Sequence, residues 1–421
     1  NYYIKGQSLR KRNLVAAAVL AATSLLLSGI VAAPATASDK LIIWADDERG
    51  KQLKPVLDGK VYGGKTVEIV TYTSKTTLDT AFQAATAANG PDILFGPVGE
   101  SVTAAKNGKA LPFVLSAASA ANLPKAAVQY GQYKGRQYGL PLDIDSVSMI
   151  WNTKFGKAPT SLAEFSTRFA AAKKAKKANY GACTSDGSWN SLSFISALGG
   201  YSVGVNAAGV PNPKDVGVNN PTFISNLKKY ALGANGKSNG LLKVDFWETC
   251  SVDWLAGKAM AVVTGSWRIP ATDAAKIKYT IQPFPTVSGV GNSKTVAGWG
   301  GAYITSFAKT NKKESAAKAF MNFMATPAGS TLYAATVQRP SPNSKVAANQ
   351  SKILKAFAQS MAKTAVPQYN NLYDNKTGGA NYFEVLQDAW NKVLIKGQNP
   401  KTVWDKAAAV LKKNFAAGAK N

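Results

Sequence analysis

The 421-residue chain contains no histidine. That removes a Ser-His-Asp triad, a Cys-His dyad and most catalytic zinc sites, because each relies on imidazole as base or ligand. Cysteine is nearly absent: Cys183 and Cys250 are the only two. With no C-x-x-C spacing and no histidine partner, neither a metal centre nor a redox motif is expected, and no cofactor is implied. Acidic residues are scarce as well, 23 against 50 basic ones, so the formal net charge is +27. The excess is spread along the chain, as at Lys173, Lys174, Lys176, Lys177, Lys312, Lys313, Lys412 and Lys413. A nucleic-acid site wants basic residues interleaved with stacking aromatics on one element. No such segment occurs, so nucleic acid is not an expected partner and the spread reads as a solvated basic surface. An enzyme built on this chain would depend on carboxylates, lysine or tyrosine for proton transfer.

Beyond the N-terminus no run is apolar enough for a membrane span, which needs about 20 residues. The N-terminus itself reads as an export signal. Lys5, Arg10, Lys11 and Arg12 form a basic region, Leu14 to Leu27 is apolar, and Ala35-Thr36-Ala37 is a small-x-small cleavage site ahead of Ser38. Residues 1–37 are therefore expected to leave. Leu27-Ser28-Gly29 resembles the approach to a lipid-bearing cysteine, but Ile30 follows. An exported protein without that lipid is expected, in the periplasm or outside the cell. Export favours disulfides, so Cys183 and Cys250 are expected to pair, with two free buried thiols as the alternative.

The length favours two lobes over one core. Short apolar runs at Leu41–Trp44, Val67–Tyr72 and Asp92–Gly96 read as strands, and helical stretches at 49–57 and 76–88 separate them. That alternation predicts a mostly parallel α/β sheet. Residues 138–152 read as one long extended segment, suited to leaving one lobe and entering another. From about Lys352 to Ala417 the chain reads as mostly helical.

Four tryptophans stand among glycine and small polar residues: Trp44 in WADDERG, Trp189 in DGSWN, Trp267 in TGSWR and Trp299 in AGWGG. Such flanks place them at loop mouths, where a ring can stack on the C–H face of a pyranose. Asp46, Asp47, Glu48 and Arg49 directly follow the first strand, where ligands bind in α/β sheets; the alternative is a helix N-terminus that favours acids. Asp143 and Asp145 share one strand face by their period-two spacing. A glycosidase pair converges from separate elements, so these two read as hydroxyl acceptors.

The strings LIIWADDERG (41–50), GPDILFG (90–96), YGLPLDIDSVSMIWN (138–152), ALGGY (197–201), LAGKAMAVVTGSW (255–267) and VAGWGGAYITSFAKTNKKESAAKAFMNFM (296–324) appear in this order. Together they resemble the maltose/maltodextrin-binding branch of the solute-binding proteins of ABC importers. The resemblance implies a two-lobed α/β fold with a hinge and a central cleft. It places an N-terminal lobe at 39–144 plus 298–343 and a C-terminal lobe at 148–296 plus 350–421, with the chain crossing near 143–148 and 296–298. It implies a monomer that captures an oligosaccharide, such as maltodextrin, and docks on membrane permease subunits. Another oligosaccharide or a polyol is the alternative ligand, and a secreted glycoside hydrolase the rival class. By position, Glu48 and Arg49 resemble the family's acidic-basic pair, Asp145 its crossover carboxylate, and Trp189, Trp247 and Trp267 its stacking aromatics. Asp46 and Trp299 complete the expected ligand-binding set. Gly96 and Gly99-Glu100 depart from the pattern, which implies a different first-lobe contact with the ligand.

Overall fold

The computed structural model describes residues 39–184, 189–206, 211–245, 247–367 and 380–418. The expected export signal and Ile30 lie outside them. No described helix is long and apolar enough to cross a membrane.

Two sheets organise the chain. The first runs in the order Ala365–Pro367, Thr295–Thr305, Ile93–Pro97, Lys40–Ala45, Lys65–Thr71 and Val61–Tyr62, with Ala110–Leu111 and Gly139–Asp145 also paired to Thr295–Thr305. The second runs Leu242–Val244, Tyr180–Thr184, Ala259–Thr264, Ser148–Asn152 and Tyr279–Gln282. Both are mixed, which corrects the expectation of mostly parallel pairing. Lys40–Ala45 is parallel to both of its neighbours, but Thr295–Thr305 is antiparallel to Ile93–Pro97 and to Gly139–Asp145. In the second sheet Ser148–Asn152 is antiparallel on both sides.

Each sheet is covered on both faces. Leu53 and Leu57 from helix Asp47–Leu57, and Ala316, Ala317, Phe320, Met321 and Met324 from helix Glu314–Met324, pack on one face of the first. Those five positions recur at helical spacing, so one stripe of the helix is apolar. Trp44, Leu78, Phe82 and Tyr303 form a smaller cluster on the other face. The second sheet carries the largest core, where Trp390 and Trp404 meet edge to face at 5.1 Å. Its opposite face holds Ile150, Cys183, Cys250, Trp254 and Phe357.

The segment 138–152 is two strands rather than one. Gly139–Asp145 ends in the first sheet and Ser148–Asn152 begins in the second. At this passage Ser146 Oγ lies 3.2 Å from Thr295 Oγ1, which lies 3.1 Å from Thr364 Oγ1. All three residues are buried. Three segments that run between the sheets are therefore joined by hydroxyls where they cross.

Cys183, in Tyr180–Thr184, and Cys250, in helix Trp247–Leu255, form a disulfide with Cα atoms 5.9 Å apart. It pins that helix to the sheet beneath it. The loop it closes spans 67 residues, for which loop-closure entropy gives about 4 kcal/mol and measured disulfides typically 2–4 kcal/mol. Reduction is expected to lower unfolding stability by about 2–4 kcal/mol in a denaturant titration, and both thiols should resist alkylation in the unreduced native protein. Two thiols alkylated without reductant would contradict the bond.

Candidate ligand-binding site

In the first sheet each parallel strand hands over to a helix at its carboxyl edge: Lys40–Ala45 to Asp47–Leu57, Lys65–Thr71 to Lys75–Ala84, and Ile93–Pro97 to Val98–Lys106. Asp46 caps the first of these helices by accepting the Arg49 N–H at 2.8 Å. The acidic run is thus a helix start, but a buried one. Its geometry turns Arg49 inward, where it is 3% exposed.

Every guanidinium nitrogen of Arg49 is engaged. Nε donates to Tyr333 Oη at 3.1 Å, Nη1 to Asp46 at 2.9 Å, and Nη2 to Asp145 at 3.0 Å with Asp143 at 3.5 Å. The Tyr333 hydroxyl in turn donates to Asp143. Gly300 makes this approach possible: a Cβ there would stand 2.2 Å from Asp143 Oδ1 and 2.3 Å from Arg49 Nη2.

A second arginine closes the cluster. Helix Pro327–Val337 ends on Gln338 in the left-handed region at φ 55°, and the turn delivers Arg339. Its Nη1 pairs with Asp145 and lies 3.7 Å from Asp143, while Nη2 reaches Glu48 Oε2 at 2.9 Å. The remaining Glu48 oxygen, Oε1, receives Arg268 Nη2 at 3.0 Å. Arg268 belongs to the turn after Ala259–Thr264, so this ion pair joins the two sheets.

Burial raises the Glu48 carboxyl, offset in part by Arg339 and Arg268. Burial and the neighbouring Asp143 raise Asp145. Burial would raise Asp143 too, but Arg49 and Arg339 outweigh it and hold that carboxyl below its ordinary value. The cluster gathers four carboxylates and three guanidiniums, so its charges nearly cancel.

Aromatic rings border the cluster on the second-sheet side. Trp189 and Trp267 are half-buried and stacked, centroids 6.1 Å apart at 24°. The Arg339 guanidinium lies 4.8 Å over Trp267, and the Arg268 guanidinium 4.4 Å over Trp247. Three buried donors beside these rings, Trp189 Nε1, Arg268 Nε and Arg339 Nε, have no hydrogen-bond partner among the described residues. Among those residues, too, no group of carboxylates or thiols is arranged to hold a metal ion.

The structure therefore brings Asp46, Glu48, Arg49, Asp145, Trp247 and Trp267 into one connected set, with Trp189 against Trp267. Trp299 is not part of it. It pairs with Ile144 in register, so its side chain leaves the strand on the face opposite Asp143 and Asp145, and it packs on Tyr130 at 5.0 Å. Trp44 is not at a loop mouth either. It lies within Lys40–Ala45, 6% exposed, with its ring 4.9 Å from Tyr72. At Gly96 the space an aromatic would take faces Lys75 and Glu100, which pair at 2.6 Å.

Asp143 joins Asp145 in the cluster, and Arg268, Tyr333 and Arg339 are the members that no local sequence pattern marks. A signal for the arginines was present. The chain has seven arginines among its 50 basic residues, and only five of those follow residue 37. Three of the five, Arg49, Arg268 and Arg339, converge here. A planar, weakly hydrated fork suits burial against carboxylates in a way the lysine ammonium does not.

A family model, that of the bacterial extracellular solute-binding proteins, matches residues 59–363. Similar proteins include the galactooligosaccharide-binding protein of Bacillus subtilis (strain 168), 24% identical over 400 residues, 90% of each chain. A maltooligosaccharide ABC transporter solute-binding lipoprotein of Streptococcus pneumoniae (strain ATCC BAA-255 / R6) is 26% identical over 276 residues, 60% of each. The maltodextrin-binding protein MdxE of Bacillus subtilis (strain 168) is 26% identical over 252 residues, 56% of this chain and 58% of that one.

Arg49→Met should leave three buried carboxylates short of their shared cation. Breaking a buried ion pair from one side costs about 3–5 kcal/mol, and a urea titration should register a loss of that size. A loss below about 1 kcal/mol, the scale of an exposed pair, would show that the cluster is solvated and not a structural hub.

Proposed function

Because this chain belongs to the bacterial extracellular solute-binding protein family, we propose that it captures a neutral oligosaccharide outside the cytoplasmic membrane and delivers it to the permease subunits of an ABC importer. An α-glucan of the maltodextrin type is the leading ligand, in keeping with the relatives that carry those names. A galactooligosaccharide is the second reading, favoured by the relative matched over 90% of its length. Two of the relatives are named lipoproteins; this chain has Ile30 at the position where a lipidated cysteine would be expected.

The observation that carries the reading is the pair of buried donors on Trp189 and Arg339, unpartnered among the described residues and set beside aromatic rings and a charge-balanced cluster. A buried polar group without a partner costs about 1–3 kcal/mol. Sugar hydroxyls satisfy such donors, and the C–H face of the sugar suits the rings. Near-neutrality of the cluster favours a ligand without net charge. A wrong stereoisomer leaves a donor unpaired, which is how such a site discriminates.

The two sheets are the cores of two lobes, 39–144 plus 298–343 and 148–296 plus 350–421. The hydroxyl-linked crossing at Ser146, Thr295 and Thr364 is the hinge on which they close. Glu48 and Asp145 face the ligand, while Arg339 holds both carboxylates and Arg49 holds Asp145 from behind. A receptor needs no bond cleavage. Asp143 and Asp145 are tied to the same two arginines on one strand, unlike a glycosidase pair that flanks one bond from two elements. The chain acts as a monomer, and it captures the sugar without hydrolysing it.

A thermal-shift screen over neutral oligosaccharides should find a ligand that raises the melting temperature, since a native-state ligand stabilises by mass action. Trp189→Ala and Trp267→Ala should each weaken that ligand by about 1–3 kcal/mol in calorimetry, with the sugar recovered intact after prolonged incubation. Unchanged affinity in both variants, or release of reducing ends, would contradict the proposal.

A further inference from the structure

The two arginines on Glu48 differ in standing. Arg339 is 2% exposed, and its Nη atoms serve Glu48, Asp145 and Asp143 together. Arg268 is different: its side chain is 22% exposed, and the ion pair to Glu48 is its one salt bridge among the described residues. Its guanidinium lies 4.4 Å from the centre of the Trp247 ring. Trp247 is half-buried at the start of helix Trp247–Leu255, packed on the cluster that holds the disulfide. Its inner side is therefore spoken for, and Arg268 lies over a face the ring would otherwise present.

A guanidinium and a pyranose use an aromatic face in the same way. The planar guanidinium and the C–H side of the pyranose chair both sit at van der Waals distance, and both are drawn to the electron-rich face. They cannot occupy it together. Glu48 tethers Arg268 from the other sheet, so the ion pair and the cation–π contact must both break before a sugar ring gains this one stacking position.

We infer that Arg268 is a specificity-determining plug: held by Glu48, it masks the Trp247 face and sets how many sugar rings the site accepts. The inference rests on the oligosaccharide reading above. Its chemistry separates plate from charge. Lysine keeps a cation for Glu48 but has no planar group to cover the ring, so Arg268→Lys and Arg268→Ala should both unmask Trp247.

Calorimetric titration with a ladder of linear α-glucan oligosaccharides and one of galactooligosaccharides provides the test. In the unaltered protein, affinity stops rising at some chain length. In Arg268→Ala and Arg268→Lys it should go on rising for one further ring, which binds roughly tenfold more tightly than to the parent, the scale of one added stacking contact. An unchanged plateau, or equal weakening at every length, would overturn the plug and make Arg268 an ordinary hydroxyl donor. A sugar-free arm stands apart from the ligand reading. Acrylamide quenching of tryptophan emission should rise in Arg268→Ala, and that rise should vanish in the Arg268→Ala/Trp247→Phe double variant. No rise would overturn the masking itself. If neither protein binds any sugar while quenching rises as expected, the masking holds and the oligosaccharide reading falls, taking the length limit with it.

Discussion

The buried guanidinium of Arg49 is the fixed point of this molecule. An arginine at 3% exposure is costly unless carboxylates pair its charge, and that demand reaches far along the chain. Asp46 must cap the first helix, Asp143 and Asp145 must alternate onto one strand face, and Tyr333 must arrive from a helix almost 300 residues later. Gly300 must have no side chain, because the next strand passes within contact of the pair. Four separate segments are thereby fixed at the carboxyl edge of the first sheet.

From that fixed point the site extends outward through Glu48. Its two oxygens divide between Arg339, which belongs to the buried cluster, and Arg268, which comes from the second sheet. One carboxylate thus links the rigid hub to the surface that carries Trp189, Trp247 and Trp267. The hydroxyl crossing at Ser146, Thr295 and Thr364 joins the same two sheets from another position. The proposed closure would turn on that crossing, with the Glu48–Arg268 pair as a contact between the two halves. That division suits a receptor whose two halves close on a ligand.

Much of the frame was legible in the sequence because apolar runs and glycine breaks mark strands directly. Leu41–Trp44 and Asp92–Gly96 both fall within one residue of observed strands. Glycine flanks suggest a turn, yet in AGWGG they serve close packing: a Cβ on Gly301 would meet the Leu140 carbonyl at 1.8 Å. The strand therefore runs unbroken through Thr295–Thr305, and Trp299 alternates away from the carboxylates. Trp44 misled similarly, since the polar residues after it belong to a helix cap and not to a loop. Arg268 and Arg339 lie 219 and 290 residues from Arg49, so no local spacing joins them; only their rarity among so many lysines set them apart.

In the proposed function the two sheets close on an oligosaccharide about the crossing at Ser146, Thr295 and Thr364. Small-angle scattering of the intact protein, with and without the sugar that stabilises it most, tests that claim directly. A smaller radius of gyration is expected in the loaded protein, since ligand shifts the population toward the closed arrangement. A sugar that binds tightly while the radius of gyration stays constant would contradict it.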